Sequence, residues 1–61
     1  MNDTLEQLID SASLQEVLSA LAEICHEKAD HLRSNWQDES SAKVWERDAQ
    51  AIERCASKVN N

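Results

Sequence analysis

Sixty-one residues with a net charge of −6 and no Gly, Pro, Tyr or Phe make one domain at most. Strand-rich folds lean on Gly and Pro for their turns; their absence beside many good helix formers points to an all-α chain. Asp3, Glu6, Asp10, Glu16, Glu23 and Glu27 stand in residues 1–27 with no Lys or Arg, while residues 28–61 balance six acids against six bases, so the N-terminal half disfavours nucleic acid and anionic membrane as partners.

The first predicted element is a short helix over about residues 5–11. Thr4 is its candidate N-cap in the capping-box pattern Thr4-Leu5-Glu6-Gln7, and Leu5, Leu8 and Ile9 form its apolar face. A second capping box, Ser13-Leu14-Gln15-Glu16, opens a long helix predicted over 14–36. Its apolar stripe is Leu14, Leu18, Leu21, Cys25, Ala29, Leu32 and Trp36. The mean spacing, close to the α-helical repeat, favours a nearly straight helix. Asn35 and the run Gln37-Asp38-Glu39-Ser40-Ser41 interrupt the pattern, although without Gly an unbroken helix is the rival reading. The third helix is predicted over about 39–59, with Asp38 and Glu39 suiting its positive end and Lys58 its negative end.

The third helix carries the stripe Trp45, Ala49, Ile52, Ala56 and Val59. Read antiparallel, the two stripes match large against small: Trp36 with Trp45, Leu32 with Ala49, Ala29 with Ile52, and Cys25 with Ala56. The expected architecture is a single helical domain over 1–61, an antiparallel hairpin whose tryptophans plug its turn end. Val17 and Ile24 flank one stripe; Val44, Ala51 and Cys55 flank the other on the same side. Helix one covers part of this second apolar surface but is too short for all of it. A homodimer completing a four-helix-bundle-like assembly is therefore expected. A chain this short buries only about 60% of its unfolded surface, which also favours self-association.

The candidate chemistry is thin. His26 and His31 resemble a zinc-protease pair, but at five residues apart they point about 140° away from each other, whereas that motif needs histidines four apart. Glu23 and His26 have the Glu-x-x-His spacing of di-metal bundles. Measured from the core stripe, however, they point about 160° and 100° away, outward rather than into the core. Cys25 and Cys55 fall at similar levels, so a disulfide is geometrically open, while a reducing compartment favours free, buried thiols. Asp48 interrupts its stripe and is expected to pair with Lys28 or His31 or to lie solvated. Glu16, Glu23, Glu27 and Asp30 line one outer face, and Lys43, Arg47, Arg54 and Lys58 the other, a pattern of solvated surfaces. No catalytic, cofactor-binding or metal residue is assigned, and no cofactor is expected.

The stretch from Glu27 to Glu39, followed by Val44-Trp45-Glu46-Arg47, resembles small helical cyanobacterial proteins without a known activity. The resemblance covers roughly residues 13–57 and implies a bacterial cytosolic protein; it implies nothing about mechanism.

The expected function is non-enzymatic: a small protein–protein interaction or regulatory module acting as a homodimer. Val17, Ile24, Trp36, Val44, Trp45, Ala51 and Cys55 form its interaction surface, with a second copy and a further protein as partners. Arg33 and Asn35 would rim a partly exposed Trp36. The alternatives are an acidic regulator that occupies a basic cleft or mimics nucleic acid, and a metal-binding bundle. No apolar run approaches a bilayer span, the acidic N-terminus does not read as a signal peptide, and the expected location is the cytoplasm.

Overall fold

The computed structural model describes residues 3–61. Helix α1 spans Asp3–Ser11, α2 spans Leu14–His31, a π-helical turn covers Leu32–Trp36, and α3 spans Glu39–Lys58. No strand occurs among the described residues. Helices α2 and α3 form the antiparallel hairpin, and the rival unbroken helix is excluded.

Local chemistry sets the starts. Ser13 is the N-cap of α2, its side chain accepting from the Glu16 backbone N–H at 3.0 Å, which satisfies one of the helix's orphan donors. Asp38 does the same for α3, accepting from the Ser41 N–H at 3.1 Å. The Thr4 cap is corrected: Asp3 is already helical, so Thr4 lies inside α1 rather than capping it.

The break between the long helices uses neither Gly nor Pro. Widening the last turn into a π-turn lets the Leu32 carbonyl accept from the backbone N–H groups of both Gln37 and Asp38. Gln37 takes the left-handed conformation, φ 52 and ψ 34, a position where Gly or Asn is usual.

The core differs from the predicted stripes. Its buried residues are Ala22, Cys25 and Ala29 from α2 and Ala42, Ala49 and Ala56 from α3. Ala22 and Ala42 lie outside the predicted stripes. Leu14, Leu18, Leu32, Trp45, Ile52 and Val59 are only half-buried, and Leu21 is 44% exposed. The alanines recur every seven residues, Ala22 and Ala29 against Ala42, Ala49 and Ala56, which is the period of a left-handed supercoil rather than of a straight helix. Small side chains at the seam permit a close approach of the helices, and larger residues are displaced to its sides. Two cross-helix pairs spaced by one heptad, His26 with Glu53 and Arg33 with Glu46, set a register two residues away from the predicted level matching.

The tryptophan plug is also corrected. Trp36 is 70% exposed. A π-turn uses roughly one residue more than an α-turn, so a side chain four positions along it lags by about a fifth of a turn, roughly 70°. That lag carries Trp36 off the seam. Helix α1 leaves Leu5, Leu8 and Ile9 exposed and buries none of its residues, so it does not cover the hairpin as expected.

Candidate protein-interaction surface

The alanine seam divides the hairpin into two unlike faces, because residues on corresponding flanks of antiparallel helices lie side by side. One face is closed by polar clasps. Near the open end, the Gln15 side-chain amide donates to the Ala56 carbonyl at 2.9 Å, and the Gln15 backbone N–H donates to the Asn61 carbonyl at 3.2 Å. These bonds satisfy an orphan carbonyl of α3 and an orphan N–H of α2 together. In the middle, His26 Nε2 lies 3.2 Å from Glu53 Oε2. At the turn end, Arg33 Nε donates to both Glu39 carboxylate oxygens at 3.0–3.1 Å, and its guanidinium also meets Glu46.

This last cluster shifts its own protonation. Hydrogen bonds to Glu39 first, then to Glu46, raise the Arg33 pKa above its usual value. The Arg33 hydrogen bond holds the Glu39 carboxyl below its ordinary range. Asp38 is lowered by the Ser41 backbone N–H it accepts from. Opposite charges and donors favour the ionised forms of Asp38 and Glu39.

The other face is apolar. Its centre comprises half-buried Leu14, Leu32, Trp45, Ile52 and Val59, with exposed Leu21 among them. Ile24 at 46% and Val44 at 55% exposure extend it outward, with half-buried Val17 and exposed Ala51 and Cys55. A shallow recess on this face is lined by Ile24, Glu27, Lys28, His31, Leu32 and Trp45. The Lys28 ammonium lies 5.6 Å from the centroid of the Trp45 ring, a cation–π contact that also lays the lysine stem over apolar surface.

Of the seven predicted interaction residues, Val17, Ile24, Val44, Trp45, Ala51 and Cys55 fall on this side of the seam by helical phase. The structure leaves Trp36 exposed at the turn. Sequence reasoning misses the centre of the face, because it assigns Leu14, Leu21, Leu32 and Ile52 to the seam. The heptad recurrence of alanine is the signal that separates the two. The expected rim of Trp36 is engaged elsewhere: Arg33 in the clasp, and Asn35 with His31 Nδ1 at 2.7 Å.

Of the two readings of Asp48, the solvated one holds, and no pair with Lys28 or His31 forms. Asp48 is exposed and makes no ion pair among the described residues. Cys25 and Cys55 are both free, and Cys55 is exposed rather than buried. No group of three or more His, Cys, Asp or Glu side chains is disposed to hold a metal ion among the described residues. No described helix is long and apolar enough to cross a membrane.

The molecule's exposed area is large for its mass. For a compact monomer of 6.9 kDa the usual surface is about 4,000 Å², whereas this chain exposes 4798 Å². Its radius of gyration is 13.3 Å, against about 10.5 Å for a compact domain of this length. With extents of 38 × 25 × 16 Å, the molecule is one helix layer thick in its shortest direction. The surplus of about 800 Å² belongs to the whole molecule, the uncovered α1 included, and is comparable to one partner's share of a standard protein–protein interface. Comparison with family models, curated proteins and solved structures finds no match to this chain.

Proposed function

We propose that the chain is a small non-enzymatic interaction module that works as a homodimer and presents the dimer's outer surface, with Trp36 at the turn, to a further protein. The observation that carries this reading is the one-sided hairpin: polar clasps close one face, while the other leaves Leu21, Ile24 and Val44 uncovered. Domains are normally built from two packed layers, and a second copy supplies the missing one. Light scattering or sedimentation equilibrium across the micromolar range tests the dimer. A mass near twice 6.9 kDa is expected, and a monomer throughout would overturn the reading. Capture of a protein partner that is lost in Trp36→Ala tests the second half.

A second reading, an acidic regulator seated in a basic cleft, is favoured by the exposed Glu16, Glu23 and Glu27. Under it, neutralising these three abolishes target binding, and the binding weakens steeply with salt. Salt-independent binding would refute it.

A further inference from the structure

The apolar face carries two charges on its central line, one from each helix, and they are of opposite sign. At about 100° per residue, Lys28 and Asp48 each lie about 100° from the alanine seam toward the apolar side. Both are exposed. The pairs His26–Glu53 and Arg33–Glu46 place Lys28 level with Ala51, which is about 4.5 Å along the axis from Asp48. The lysine ammonium reaches toward the turn as far as Trp45, so its span covers the level of Asp48.

Two ways of stacking apolar faces about a two-fold axis are open. With the axis across the helices, each helix lies over its own copy, so Lys28 and Asp48 each face a helix side that offers no opposite charge. With the axis parallel to the helices, α2 lies over the partner's α3, and Lys28 falls over the partner's Asp48. A charge held at an interface without a partner is costly, and opposite charges fix the register.

We infer that a second copy occupies the apolar face with its two-fold axis parallel to the helices, each Lys28 pairing with the partner's Asp48. The inference rests on the dimer proposed above and adds its geometry. An exchange of charges tests it, with the dimer constant measured by sedimentation and folding checked by circular dichroism. Lys28→Glu and Asp48→Lys each place like charges at two symmetry-related contacts. At about tenfold per contact, each dimer weakens about a hundredfold. The double variant K28E/D48K restores the affinity.

Mixing the two single variants gives a heterodimer near wild-type strength. The carboxylate introduced at position 28 of one chain then faces the ammonium introduced at position 48 of the other, and the second contact keeps its original Lys28–Asp48 pair. Pairing within a chain would show no such rescue. Single variants that dimerise as tightly as the wild type, with the wild type dimeric, would overturn the geometry and leave the dimer standing. Loss without rescue, in singly substituted chains that remain helical, would also overturn it. A monomeric wild type would overturn both.

Discussion

Replacing Ala49 by Leu tests the alanine seam most directly. Ala49 has no exposed surface, and it lies in register with the similarly buried Ala29 on α2. Leu is almost as good a helix former as Ala, so intrinsic propensity contributes only a few tenths of a kcal/mol. The three added carbons must then either separate the helices or force strained rotamers. Overpacking of this kind costs about 1–3 kcal/mol. A chain of this length is stable by about 3–9 kcal/mol in all, so the variant loses a large fraction of its stability.

For a domain of this size a loss of about 2 kcal/mol lowers Tm by roughly 8–16 °C. Urea and thermal unfolding followed by far-ultraviolet circular dichroism measure the change, at one fixed protein concentration because self-association contributes to apparent stability. Gln50→Leu, at an exposed position on the same helix and away from the apolar face, is the control and stays within about 0.5 kcal/mol of the wild type. If Ala49→Leu also stayed within that margin, the tight seam would be refuted and a loosely packed hairpin would replace it.

Gln37→Gly should stabilise the hairpin by up to about 1 kcal/mol in urea melts, because a side chain in the left-handed region costs about 1–2 kcal/mol and the unfolded-state entropy of Gly returns part of the gain; Gln37→Val should destabilise it. Ser13→Ala removes the acceptor for the Glu16 N–H and should cost about 1 kcal/mol by the same melts, with no change in the dimer geometry. Asp38 and Glu39 have native pKa values below their ordinary 3.8 and 4.5. The unfolded chain therefore takes up their protons first on acidification, so their stabilisation is complete above about pH 5 and is lost as pH falls through the lowered native values. The urea midpoint should drop between pH 5 and 3, and Asp38→Asn, which keeps a capping oxygen, should flatten that slope. Arg33, raised in pKa, stays charged throughout and adds no alkaline transition.

The candidate face is partly legible without coordinates. Angular periodicity alone sends Val17, Ile24, Val44, Ala51 and Cys55 to one side of the hairpin, and that side is the uncovered one. Its centre is not legible, because hydrophobicity ranks Leu21, Leu32 and Ile52 above alanine for the core. In a two-helix hairpin, close approach of the backbones matters as much as apolar area, and only small residues at the contact line allow it. Trp36 is misplaced for a different reason: the phase of a regular helix does not continue through a turn that breaks it. Asp48 is solvated rather than paired within the chain, because Lys28 turns instead to the Trp45 ring.

The helical class, the positions of the long helices and the Ser13 cap that starts the first of them follow from residue order alone. These are local properties, set by propensity, by hydrogen bonds spanning three residues and by the lack of Gly and Pro. The choice of stripe for the seam, the register of α2 on α3 and the division into a clasped face and a bare one emerge only once the helices pack. Those depend on how closely two backbones approach and on side chains that meet across 13 to 41 positions of sequence.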